Sequence, residues 1–180
     1  MSFYLDHPFT FPAGVKHKPF CVKYELLDFD GEISIETKIG VIFQDSSGRS
    51  RREFIRVTPE GSRIEIIIDD PLKKRSYILD EESKTAFSIP LENWVDEELQ
   101  FAGEDMGCSI VEGFECRGYQ TKLSDGSVME YWVADDLSEI LYAIYTNGEK
   151  ESSVRCFDIE KVEPEANLFD VPSDYTEGNI

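Results

Sequence analysis

The sequence lacks any run of about 18 apolar residues, so no helix in it is long and apolar enough to cross a bilayer. Its first twenty residues, MSFYLDHPFTFPAGVKHKPF, lack a charged segment followed by an apolar one, the mark of an export signal. A cytoplasmic location is expected if Met1 is the native start, and a periplasmic or secreted one if a signal was removed. Positive charge is also scarce. Eighteen Lys and Arg face thirty-seven Asp and Glu, for a formal net charge of −19. Binding nucleic acid requires phosphate neutralisation, so no nucleic-acid partner is expected, and base stacking without a basic surround is not expected either. The two histidines, His7 and His17, sit in an irregular N-terminal segment and form no dyad. Four cysteines (Cys21, Cys108, Cys116 and Cys156) contain no Cys-x-x-Cys pair and lie far from both histidines, which argues against zinc or any other metal. Their even number admits two disulfides as well as four free thiols. There is no Gly-x-Ser-x-Gly elbow, P-loop or Rossmann glycine pattern. No cofactor and no catalytic residue is therefore expected.

What the sequence does contain is a period of two. EISIETKIGVIFQ places Ile33, Ile35, Ile39, Val41 and Phe43 at alternate positions. FCVKYELL does the same with Phe20, Val22, Tyr24 and Leu26, and Asp30-Gly31 between the two runs is a hairpin dipeptide. RREFIRV, RIEIIID, RSYILD, KTAFSI, CSIV, FECRGYQTKL, SVMEYWVA, EILYAIYT and SSVRCFDIEKV follow, with Asp125-Gly126 and Asn147-Gly148 as further turn signals. This predicts a mainly β chain, a curved antiparallel meander resembling a half-barrel, with about eleven strands. One short helix is predicted over Leu91–Phe101, with Trp94, Val95 and Leu99 on its apolar side. The expected organisation is an irregular N-terminal segment (1–19), an antiparallel β domain (20–163) and an acidic C-terminal tail (164–180) packing on it.

Eleven strands at roughly 4.8 Å spacing make a sheet about 50 Å wide. A helix of about eleven residues is only about 16 Å long and cannot cover it. The sheet must therefore curl, be covered by its termini, or keep an apolar hollow for a ligand. The hollow is assigned to Tyr24, Ile35, Val41, Phe43, Phe54, Trp132 and Tyr142. The corresponding function is non-catalytic binding of a hydrophobic small molecule or lipid, or of a protein partner. The alternative is an interaction module with a filled core and an acidic exterior.

Basic side chains are concentrated in one place. Between Arg49 and Arg75 lie eight basic and five acidic residues, a local balance of +3 in a chain otherwise at −22. The stretch QDSSGRSRRE places Arg49, Arg51 and Arg52 just after a tight turn. Such arginines can pair with acids on adjacent strands, such as Glu32, Glu36, Glu65 and Asp69, or hold an external carboxylate or phosphate in the guanidinium fork. The acidic pairs Asp69-Asp70, Glu81-Glu82 and Asp135-Asp136 fall at expected turns and read as solvated.

Several segments together carry a resemblance: QDSSGRSRRE, IDDPLKKRSYILD followed by KTA, GCSIVEGFECRGYQT, EYWVADDLSEILYAIY and the closing VEPEANLFDVPSDY. In this order, over about Pro19 to Tyr175, they resemble a family of uncharacterised bacterial proteins best represented in acidobacteria. That family is distantly similar to the periplasmic lipoprotein-carrier fold. The resemblance implies a curved antiparallel sheet of about eleven strands, an apolar hollow for acyl chains, and an exported protein.

Overall fold

Alternation of apolar and polar residues builds nearly the whole molecule. The computed structural model of the chain describes residues 18–30, 33–58, 61–91, 103–123, 126–137, 139–148 and 150–178. Its strands are β1 (Phe20–Asp30), β2 (Ile33–Gln44), β3 (Ser50–Thr58), β4 (Gly61–Asp70), β5 (Arg75–Asp80) and β6 (Thr85–Pro90). They continue with β7 (Glu104–Val111), β8 (Phe114–Lys122), β9 (Val128–Ala134), β10 (Glu139–Asn147), β11 (Lys150–Glu160) and β12 (Thr176–Gly178). Most of the expected helix falls on residues 92–102, outside the described residues. Helical structure among the described residues is confined to one 3-10 turn, Ala166–Phe169.

All twelve strands form one curved sheet in the order β12-β6-β5-β4-β3-β2-β1-β11-β10-β9-β8-β7. The meander thus comes as two runs, β1–β6 and β7–β11, joined where β1 pairs antiparallel with β11. Sequence spacing reveals the hairpins within each run, but this seam joins residues more than a hundred positions apart. β12 pairs with β6 in parallel, Thr176 opposite Thr85, and adds a strand the sequence pattern did not suggest.

Cross-strand partners share a face of a sheet, so the register assigns every side chain. β1 and β2 are out of phase. Val22 pairs with Ile42 and Tyr24 with Gly40, which sends Val41 and Phe43 to the opposite face from Val22 and Tyr24. Both faces therefore carry apolar side chains. The inner face holds a cluster with Phe20, Val22 and Tyr24 of β1, Phe54 of β3 and Cys156 of β11. Cys116, Ala134 and Leu141 of β8–β10 join the same cluster. Strands up to six positions apart in the order contribute to it, as a strongly curled sheet requires. By register Cys116 and Ala134 point to the other side of β8 and β9 from Tyr119 and Tyr131, which form a separate cluster with Val133, Ile140 and Ala143.

On the outer face, Ile66, Ile68, Leu79 and Ala86 form a second cluster around Phe169, which is fully buried. Phe43, Tyr77, Leu168, Val171 and Tyr175 pack against it, so the C-terminal segment lies over this end of the sheet as a strap. Its end is fixed by the Thr176 N–H donating to the Lys84 carbonyl at 2.9 Å. Burying a Phe side chain contributes roughly 1.5–3 kcal/mol.

At Gly40 the absence of a side chain lets Tyr24 cross the strand. A Cβ there would lie 2.6 Å from two ring atoms of Tyr24 and 2.3 Å from the Glu53 carbonyl oxygen. Gly40→Ala is expected to cost about 1–3 kcal/mol or more, because backbone as well as ring must shift. Phe169→Ala should cost about 3–5 kcal/mol by leaving a void under the strap. Equilibrium urea denaturation of each variant measures both losses.

Candidate functional site

Strand register aligns one row of apolar residues across five strands. Leu26 pairs with Val154, Val154 with Ala143, Ala143 with Tyr131, and Tyr131 with Tyr119. This row crosses β1, β11, β10, β9 and β8, a length of about 19 Å along the hydrogen-bonding direction. The Tyr119 and Tyr131 rings stack with centroids 5.5 Å apart. Leu26, Val154, Ala143 and Tyr131 are buried, as are Tyr24 and Phe54.

Of the residues assigned to the hollow from the sequence, Tyr24 and Phe54 lie on this inner face. Val41, Phe43 and Tyr142 lie on the outer face, Trp132 pairs with Tyr142 but packs against the cluster that holds Tyr24 and Phe54, and the side chain of Ile35 is outside the described residues. Phe43 packs in the cluster under the C-terminal strap, and Trp132 lies over Gly118. The division follows from the out-of-phase register of β1 and β2. Sequence reasoning missed Val154, Ala143, Tyr131 and Tyr119 as members of the track. In β9, SVMEYWVA is apolar in both phases, so alternation alone could not choose between Tyr131 and Trp132.

Beside the apolar track lies a buried polar group. Arg52 Nη2 donates to Asp69 Oδ2 at 2.6 Å, and both side chains are almost wholly buried. The Ser50 hydroxyl also reaches Asp69 Oδ2, at 3.4 Å. Three polar atoms here are closed to solvent and have no hydrogen-bond partner: Arg52 Nε, Asp69 Oδ1 and Tyr24 Oη. Tyr24 lies across Gly40, so its hydroxyl is directed towards β3, which carries Arg52 on the same face. Burial pushes the Tyr24 hydroxyl well above its usual range, with the Arg52 charge opposing the shift.

Glu139, at the start of β10, feels the Arg52 charge although β3 and β10 are four places apart in the sheet. Its side chain keeps some exposed surface, but its carboxyl end is packed deep. Burial is the larger effect and pushes that carboxyl up to about 7, opposed by the Ile140 N–H bond and by Arg52. The Cys156 thiol donates to the Ile140 carbonyl at 3.5 Å, and burial pushes its pKa up, so it stays protonated. Asp69 and Asp70 are both buried, in contrast to the solvated turn expected for them. Asp70 accepts from the Lys73 N–H and pairs with its ammonium, both at 3.0 Å.

The three arginines after the turn serve different faces. Asp45 Oδ1 accepts the Ser47 and Arg49 N–H groups at 2.9 Å each, and Oδ2 accepts the Arg49 Nε–H at 2.6 Å. Gly48, at φ 83°, supplies the left-handed residue this turn needs. The Arg49 guanidinium then sits 4.8 Å from the centroid of the Phe169 ring. Arg51 pairs with Glu53 and donates to the Leu168 carbonyl at 2.9 Å. Arg49 and Arg51 thus hold the strap on the outer face, while Arg52 points inward. Of the acids considered from the sequence as cross-strand partners, Asp69 takes Arg52.

All four cysteines are free thiols, with Cys116 and Cys156 buried and Cys108 exposed. At one end of the sheet an open cleft of about 820 Å³ is lined by Lys18, Phe114, Glu115, Asp136, Ile159 and Lys161, among others. Lys18 and Lys161 both pair with Asp136 there. His7 and His17 lie outside the described residues.

No family model and no curated protein matches the chain. Solved structures share the fold. An uncharacterized conserved protein from Thermus thermophilus is similar at TM-score 0.62 and 12% identity, over 91% of each chain. MucB in the MucA/MucB complex of Pseudomonas aeruginosa is similar at TM-score 0.53 and 12% identity. That match covers 90% of this chain but 58% of MucB, so the chain spans less than two thirds of that protein's length. A LolA superfamily protein from Nitrosomonas europaea matches at TM-score 0.44 and 8% identity over 86% of this chain and 90% of that one.

The raised Glu139 carboxyl has a defined effect on stability. Its folded value of about 7 exceeds the ordinary 4.5, so the folded state binds the proton more tightly. The resulting stability is complete below about 4.5 and is lost as the pH rises through about 7. The loss is on the order of 3 kcal/mol. Glu139→Gln should remove the dependence in that window and make the protein more stable than the wild type at pH 8. Denaturation curves at pH 5 and pH 8 test this.

Proposed function

We propose that the protein is a non-catalytic binding protein whose inner sheet face receives the hydrocarbon chain of a lipid or lipid-modified ligand. The observation that carries this reading is the paired row Leu26–Val154–Ala143–Tyr131–Tyr119, an unbroken apolar path of about 19 Å across five strands. Leu26, Val154, Ala143 and Tyr131 are buried, so uptake involves opening the face. A periplasmic or secreted location accords with this role, since a carrier works where a lipid must pass through water.

A second reading is favoured by two observations. The inner face is already buried, as in a filled core. In addition, Ile39, Ile55 and Ile64, paired in a row on the outer face, are each 45–51% exposed. On this reading the protein is an acidic interaction module that binds a protein partner, as MucB is seen with MucA.

One experiment separates the two readings. Protein purified without detergent is examined by native mass spectrometry and titrated with the uncharged apolar dye N-phenyl-1-naphthylamine. The carrier reading expects a co-purified lipid mass or saturable dye uptake at fixed stoichiometry. A filled core expects neither, and absence of both would remove the carrier reading.

A further inference from the structure

We propose that Tyr24, Arg52 and Asp69 form a buried head-group site for an uncharged amphiphile whose polar end bears a hydroxyl or amide. This deepens the carrier reading and rests on it. The argument begins with unmet hydrogen-bonding capacity. A buried polar atom without a partner costs about 1–3 kcal/mol. The inner face holds three such atoms in neighbouring positions: the Arg52 Nε–H donor, the Asp69 Oδ1 acceptor and the Tyr24 hydroxyl, which can act as either. Asp69 is the next inner-face residue of β4 after Ile67, which is the direct partner of Arg52, and Tyr24 reaches β3 across Gly40.

Charge selects the chemistry. The Arg52 guanidinium is already matched by Asp69 at 2.6 Å. A carboxylate or phosphate head would add a second negative charge beside Asp69, and Glu139 lies within reach of the same guanidinium. A cationic head would meet Arg52. A hydroxyl or amide both donates and accepts, and so answers Asp69 Oδ1 and Arg52 Nε together without adding charge. The site is also correctly placed. Tyr24 is two residues from Leu26, where the apolar track begins, and both side chains lie on the inner face. A head at β3–β4 leaves the chain to run along β1, β11, β10, β9 and β8.

The test compares the wild type with Tyr24→Phe, which removes one hydroxyl and keeps the ring over Gly40. The probes, at pH 8, are 1-monooleoylglycerol, oleamide and oleate, which share a chain and differ in the head, with N-phenyl-1-naphthylamine as the apolar reference. The wild type should bind at least one of the neutral lipids more tightly than oleate, and whether it is the glycerol ester or the amide tells the two sources of such a head apart. Tyr24→Phe should bind the preferred neutral lipid roughly two- to tenfold more weakly and the dye unchanged. It should also melt at a higher temperature when unliganded, because an unpartnered buried hydroxyl is gone. Dye uptake with equal lipid affinities in both proteins, or a preference for oleate, overturns the head-group site and leaves the carrier reading standing. A lower melting temperature for the unliganded variant overturns it as well, since the hydroxyl then has a structural partner such as a buried water. Failure of the wild type to take up the dye or any lipid overturns both.

Discussion

A single sheet with apolar side chains on both faces has two surfaces to shield from water, and the rest of the structure follows from how far each is shielded. Removal of apolar surface from water is the main favourable contribution to folding, so each face buries most of its apolar side chains, the outer row Ile39, Ile55 and Ile64 excepted. The outer face is covered locally: Phe169, Leu168, Val171 and Tyr175 lie over Ile66, Ile68, Leu79 and Ala86. The inner face is closed by curvature, which brings residues of β1, β3 and β11 into one cluster with residues of β8–β10. The arginines near the first turn belong to this division. Arg49 and Arg51 fasten the strap, and Arg52 enters the inner face with its own counterion.

The inner face is not purely apolar, and its polar part sets it apart from an ordinary core. A buried ion pair contributes little net stability, because desolvation of both charges opposes their attraction. Arg52 and Asp69 add two unmet hydrogen-bonding atoms to that cost, and Tyr24 a third. Apolar residues of similar size would make a more stable sheet. Retaining the cluster next to a five-strand apolar track makes sense if a ligand completes it. The same cluster links pH to the fold through Glu139, whose burial opposes ionisation.

The strands and most turns were legible in the sequence because they are local. Asp-Gly and Asn-Gly dipeptides between alternating runs mark hairpins with no knowledge of the partner. Register is not local. The phase of β1 against β2 decides that Tyr24 faces inward and Val41 outward, and nothing in either run by itself contains that information. The same limit hid the β1–β11 seam and the choice between Tyr131 and Trp132 in a strand apolar in both phases. β12 is not legible in the sequence because Thr176–Gly178 is too short to show a period and is held by the Lys84 carbonyl and the β6 edge. Asp69 and Asp70 looked like turn residues because Pro71 follows them, yet their carboxylates are occupied by Arg52 and Lys73 inside the protein.

The central claim is that a hydrocarbon chain lies on the inner face of the sheet. The most direct measurement is photo-crosslinking with a long-chain alcohol carrying a diazirine in its chain, followed by peptide mapping of the adducts. Adducts on Leu26, Phe54, Tyr131, Ala143 or Val154 are predicted. Adducts confined to Ile39, Ile55 and Ile64 on the outer face, or no specific labelling at saturating probe, would contradict the account.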